Sequence, residues 1–158
     1  MRKGMRQILA FVTLATSLSA VPLVAQAPER PDFSGEWTAI MEDGNLIPPY
    51  LGENIRIEHK EPLFTITSEG KDGKPIVFRF RADGRNHSNS ARDNQVRTTA
   101  KWDGDALILS CELTAAKGEQ ATTKERWTLA PNRRKLAMQG YFAFGAVKKN
   151  QLLEYQRK

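Results

Sequence analysis

The sequence predicts an all-β protein, an up-and-down antiparallel barrel of about eight to ten short strands with no major helix after an N-terminal leader. Three observations carry that expectation. Apolar residues recur with period two over much of the chain, the repeat of a half-buried strand. Turn signals such as Asp83-Gly84, Asp103-Gly104 and Pro131-Asn132 separate these runs at short intervals. No stretch after the leader holds a helical apolar period. Consecutive hairpins make a meander, and a meander must hide its edge strands, which closure into a barrel does. A two-sheet sandwich is the structural alternative.

Residues 1–27 read as a removable signal peptide. Arg2, Lys3 and Arg6 form a basic start, an apolar run follows from Ile8 to about Val24, and Ala25-Gln26-Ala27 offers small residues at cleavage spacing, after Ala25 or after Ala27. The run is marginal for a membrane span, and no cysteine ends it as a lipid anchor requires. Residues 28–158 then form one domain, exported to a periplasmic or extracellular location, with no stable membrane insertion. Gln26 to Asp32 is a Pro-rich, mobile approach segment.

The first strand runs from Phe33, with Phe33, Gly35, Trp37, Ala39 and Met41 on one face. Gly35 inside it marks a bulge or a close backbone approach. Glu42 to Gly52 contains Asp43-Gly44-Asn45 and Pro48-Pro49 and reads as a loop with no helix. Strands follow at 54–60 and 63–68, broken at Pro62. Residues 70–74 turn the chain, and 75–81 alternates cleanly, with Ile76, Phe78 and Phe80 against Val77, Arg79 and Arg81. Arg85 to Asp93 is polar and irregular, a short strand and a loop. Strands are then expected at 95–102, 105–113, 120–129, 135–144 and 151–157, with residues 145–150 as the last turn.

The leader holds three of the 24 basic residues, which leaves 21 against 18 acidic ones, so the mature charge is +3 rather than +6. That is an ordinary solvated surface, and it argues against nucleic acid as a partner. Cys111 is the only cysteine, so no intramolecular disulfide can form, and its apolar neighbours mark it as a small buried side chain.

Phe33-Ser34-Gly35-Glu36-Trp37 on a first strand resembles the opening of the calycin group, which includes lipocalins, fatty-acid-binding proteins and avidins. Together with Trp102-Asp103-Gly104 leading into Ala106-Leu107-Ile108-Leu109, and with Glu125-Arg126-Trp127-Thr128-Leu129, it resembles small secreted bacterial lipocalin-like proteins over nearly the whole mature chain. The resemblance brings no established activity. It implies a structural trio of Gly35, Trp37 and Arg157, with Trp37 closing one end of the barrel under a guanidinium from the last strand. Departures are clear. The helical lid of fatty-acid-binding proteins is replaced by a segment containing Pro48-Pro49. Their carboxylate-holding Arg-x-Tyr finds Tyr155 but has Leu153 in the arginine position. No helix follows the last strand.

If the more apolar face of each strand points inward, the lumen is lined by Phe64, Phe78, Phe80, Trp127 and Phe142, with His59 and Glu125 as polar anchors for a small apolar or amphipathic ligand. Two readings stand beside each other: the side chains surround a ligand, or they fill the interior. His59 has its own alternative, a rim histidine paired with a neighbour. His59 and His87 are too few and too far apart to define a metal site, and no cofactor is expected. No nucleophile elbow, zinc-protease helix or acid/base couple stands out, so no catalytic residue is named and an isomerase or hydrolase ranks lowest. The second functional class is an envelope-associated module with a filled core, binding a partner or polyanion through the outer basic face that carries Arg79 and Arg81. The sequence leaves the oligomeric state open.

Overall fold

The computed structural model describes residues 29–158, so the leader lies outside the described residues. Ten strands follow one another: β1 (Gly35–Ile40), β2 (Asn54–Lys60), β3 (Leu63–Glu69), β4 (Pro75–Arg81), β5 (Asn86–Ala91), β6 (Asn94–Asp103), β7 (Ala106–Thr114), β8 (Gln120–Leu129), β9 (Lys135–Phe144) and β10 (Val147–Arg157). They form one antiparallel sheet in the order β4-β3-β2-β1-β10-β9-β8-β7-β6-β5. Every neighbour in that order is a sequence neighbour except β1 and β10. Those two pair directly, Trp37 opposite Arg157 and Ile40 opposite Glu154. β4 and β5 come alongside each other without a hydrogen-bonded ladder, so the barrel is nearly closed and up-and-down. No helix occurs among the described residues.

Alternation sets the inside. β8 buries Ala121, Thr123, Glu125 and Trp127 and exposes the residues between them, and β3 buries Phe64, Ile66 and Ser68. Phe33, Trp37, Phe64, Phe78 and Trp127 have no exposed surface. Burying side chains of this size contributes about 1.5–3 kcal/mol each, which holds together a barrel that has no disulfide.

Three expectations need correction and one is sharpened. β1 begins at Gly35 rather than Phe33, because Asp32 accepts the Ser34 N–H at 2.9 Å and turns the chain so that Phe33 folds into the barrel end. The approach segment is pinned rather than mobile at its described end: Arg30 bonds Glu61 at 3.2 Å and lies 5.3 Å over the Trp102 ring. The short strand expected within residues 85–93 is β5, in register with β6 from Asn86 opposite Thr99 to Ala91 opposite Asn94. Its inward face carries polar groups, with Asn89 donating to the buried Thr98 hydroxyl at 3.2 Å, so no apolar alternation announced it. The last turn is only Gly145 and Ala146, and β10 starts at Val147.

Candidate functional site

The lumen contains one buried carboxylate. Glu125 sits in the middle of β8, opposite Leu109 on β7 and Gly140 on β9, and is 7% exposed. Its Oε2 accepts the Trp127 indole N–H at 2.6 Å, and its Oε1 accepts the Tyr50 hydroxyl at 2.7 Å. The Tyr50 oxygen also lies 2.7 Å from the Thr123 hydroxyl. A phenol has one proton, and here it goes to the carboxylate, so Thr123 donates to Tyr50 and Tyr50 donates to Glu125. Burial pushes the Glu125 carboxyl above its usual range, against the pull of the bonds from Tyr50 and Trp127. Burial likewise pushes the Tyr50 hydroxyl well above its usual value, so it stays a donor. The Cys111 thiol, opposite Thr123, is raised by burial too, which leaves it protonated and unreactive.

Tyr50 does not belong to the wall. It comes from the β1–β2 connection, residues 41–53, which dips into the barrel mouth and buries Tyr50 and Leu51, with Ile47 packed against the core. The Tyr50 ring lies 4.6 Å from the Phe78 ring. The connection is tied to β10 by polar bonds. Asn45 donates to the Leu152 carbonyl at 2.9 Å. Gln151 both accepts from the Leu46 N–H at 3.0 Å and donates to the Leu46 carbonyl at 2.6 Å. Tyr155 donates to the Gly52 carbonyl at 2.8 Å. Pro48-Pro49 exclude a helix here, as the sequence indicates, but the segment is a plug rather than an open loop. Sequence reasoning missed Tyr50 and Thr123. The signals were there: Ile47, Tyr50 and Leu51 are too apolar for a solvated loop, and Thr123 shares the period-two face of Glu125.

The other inward residues line the same interior at different depths. Phe64 and Phe80 stack at 4.7 Å, Phe80 meets Trp127 edge-on at 5.9 Å, and Phe142 is buried on β9. His59 does not join Glu125. It lies at the opposite end, stacked on Phe64 at 4.0 Å beside Phe33 and Trp102. Its Nδ1 accepts the Phe33 N–H at 3.4 Å, and its Nε2 is 3.1 Å from Glu61. Both ring nitrogens already have partners, which is the rim arrangement. Among the described residues, no group of three or more metal-ligating side chains forms.

That same end holds the opening stretch. The Arg157 guanidinium lies 4.4 Å from the Trp37 ring centre and donates to the Ser34 and Arg133 carbonyls at 2.9 and 2.8 Å. The Trp37 N–H donates to the Phe33 carbonyl at 3.1 Å. Gly35 has φ of 141°, and a Cβ there would stand 2.7 Å from Arg157 Nη1. Gly35 therefore makes room for the guanidinium that covers Trp37.

The interior has little free space. The void beside Glu125, between Pro48, Met138, Gly140, Phe142, Gln151 and Leu153, is about 10 Å³, room for a single water. A larger hollow of about 680 Å³ lies outside the sheet, along Glu36, Arg56, Glu58 and Lys60. On the outer face Arg79, Arg81, Arg85, Arg92 and Arg97 are exposed. Three face carboxylates: Arg81 with Asp83 at 3.5 Å, Arg92 with Asp72, and Arg97 with Glu112 at 3.8 Å.

No protein-family model matches the chain, and no curated protein matches it. Among solved structures it is similar to secretory abundant heat soluble protein 4 from Ramazzottius varieornatus. The two share 17% identity over 80% of this chain and 94% of that one, with a TM-score of 0.50. At that identity the likeness concerns the fold, a nearly closed antiparallel β-barrel.

Proposed function

We propose that this chain is an exported, non-catalytic barrel that holds one small amphipathic molecule in its lumen. The carrying observation is Glu125, a carboxylate buried among aromatic rings whose Oε1 is satisfied by a plug residue and not by the wall. Taking a carboxylate out of water costs several kcal/mol before its partners offset it. A barrel that needs only to be full is better served by an apolar residue there. The leader-like residues 1–27 and the calycin-like opening support export and ligand binding as a class. In this reading the closed form holds Tyr50 where the ligand's polar end goes, and Phe78, Phe80 and Trp127 supply contact area. The test is native mass spectrometry of the full mature chain from its own host, with a lipophilic-dye titration. A retained or displaceable small molecule is expected. No bound mass and no dye uptake, with Phe80→Asp folding as the wild type does, would end the proposal.

One observation favours a second reading, an interaction module acting through its outer face: the void beside Glu125 admits only about one water. Arg79 and Arg85 would carry it, as the arginines of this face with no carboxylate within ion-pair distance among the described residues. Pull-down against envelope material with wild type and with Arg79→Ser/Arg85→Ser separates the two, and equal recovery counts against the module.

A further inference from the structure

We propose that Tyr50 is an internal stand-in for the ligand, and that the barrel takes in molecules ending in a phenol or aromatic alcohol, which replace the Tyr50 side chain between Thr123 and Glu125. The proposal rests on the lumenal reading above and narrows it to a chemical class.

The hydrogen-bond directions select the class. At the Tyr50 oxygen, Glu125 needs a donor and Thr123 offers one. A hydroxyl donates and accepts at once. An ammonium group would reach Glu125 only with the Thr123 hydroxyl turned to accept instead of donate, and an ionised carboxylate cannot donate to Glu125 and is repelled by it. An ether or ketone leaves the Glu125 oxygen unmet. The ring is selected separately, by Phe78 at 4.6 Å from the Tyr50 ring and by the aromatic wall continuing to Phe80 and Trp127. The remaining donor at the site, the Trp127 N–H, is committed to the other Glu125 oxygen and keeps that carboxylate aimed.

The geometry also gives the way in. The plug meets β10 along a seam of polar bonds, from Asn45 and Leu46 to Gln151 and Leu152. The small void lies on that seam, bordered by Pro48 and Gln151 on one side and reaching Glu125 on the other. Opening it withdraws Tyr50 without breaking a strand ladder, because residues 41–53 lie between β1 and β2. The closed plug competes with the ligand, so apparent affinity falls by the fraction of protein that is open.

The probes are p-cresol, which copies the tyrosine side chain, and toluene, which lacks the hydroxyl. In the full chain carrying Tyr50→Ala, p-cresol is expected to bind about 10-fold tighter than toluene by calorimetry and to raise Tm, and adding Thr123→Val is expected to lower that preference in part, since the contact to Glu125 remains. In the wild-type chain p-cresol binds weakly, and Gln151→Ala, which loosens the seam and leaves Tyr50 in place, tightens it several-fold. Should Tyr50→Ala not fold, the Gln151→Ala comparison decides alone, and unchanged p-cresol affinity overturns the proposal. Lipophilic-dye uptake by the wild type, with equal p-cresol and toluene binding by Tyr50→Ala, would overturn the phenol assignment and leave lumenal binding standing. No uptake of dye or probe by any of the proteins would overturn both.

Discussion

Replacing Gly140 by Ala puts a methyl group where β8 already runs. The added Cβ would stand 2.0 Å from the Lys124 carbonyl oxygen and 2.8 Å from the Glu125 Cα. Close carbon–oxygen contacts between strands settle near about 3.3 Å, so β8 and β9 have to part by about 1.3 Å. Both obstructing atoms are backbone and cannot rotate aside. Parting the strands here loosens the ladder where Glu125 faces Gly140 and Lys124 faces Tyr141. Overpacking strain costs about 1–3 kcal/mol, and two weakened interior hydrogen bonds cost about 1–3 kcal/mol more. The expected loss is about 4 kcal/mol, or roughly 15 °C in Tm for a domain of this size. Equilibrium urea unfolding followed by tryptophan fluorescence measures it. The native emission should shift as well, because Trp127 lies on β8 opposite Met138 of β9, and parting the two strands loosens the surroundings of its ring. A loss under about 1 kcal/mol with an unchanged native spectrum would show that β8 and β9 have room for a methyl group, and the seating of Glu125 against Gly140 would fall with it.

Tyr50→Phe keeps the ring and removes the hydroxyl, leaving Glu125 Oε1 short of a donor. We expect about 1–3 kcal/mol lost at pH 7 in urea unfolding, and a smaller loss in a Glu125→Gln background, where no buried charge is stranded. Equal losses in both backgrounds would argue against the Tyr50–Glu125 bond. The stability difference between wild type and Glu125→Gln should itself depend on pH. Burial raises the folded carboxyl above its unfolded value, so the Glu125 contribution is most favourable below about pH 4.5 and declines as pH rises through the raised folded value. Asp72, Asp83 and Asp103 are held below their usual range by hydrogen bonds from Arg92, His87 and Arg126, and they act in the opposite direction below pH 3.8. They are common to both proteins and cancel in the difference. Parallel stability curves between pH 4 and 8 would contradict the raised carboxyl. Arg157→Ala removes the guanidinium over Trp37 and should cost about 0.5–2 kcal/mol, with a change in Trp37 emission. Arg157→Lys should recover only part of it, since an ammonium lacks the fork that reaches both Ser34 and Arg133. Full recovery by lysine would mean that charge alone matters at that position.

Alternation carried most of the architecture into the sequence. Strands such as β4 and β8 have a clean apolar face, and each such face lines the interior. Gly35, Trp37 and Arg157 were legible as a set because the resemblance ties a first-strand tryptophan to a last-strand cation. The bounds of β5 were harder to place than those of other strands, because inward side chains such as Asn89 are polar and bond across the ladder. The relation between His59 and Glu125 was hidden for a different reason. Both face inward, but depth along a barrel follows from strand register, and register is a three-dimensional quantity. The plug was hidden because two prolines in a row announce extended chain without saying whether it lies on the surface or inside. The apolar content of Ile47, Tyr50 and Leu51 was the overlooked clue.

The pairing of β1 with β10 sets an order of events. The Arg157–Ser34 hydrogen bond joins residues 123 positions apart. Every other ladder in the barrel joins neighbours in the chain, so hairpins can form in succession as soon as both of their strands exist. The seam between β1 and β10 waits for residues 154–157. Until then β1 lacks one of its two neighbours, and Trp37 has no guanidinium over it. Contacts of such long separation slow folding, because the loop-closure entropy comes due before the contact forms. A chain still missing residues 154–157 would therefore keep an open edge, available to a chaperone or to another chain, and their pairing with β1 is the step that removes it.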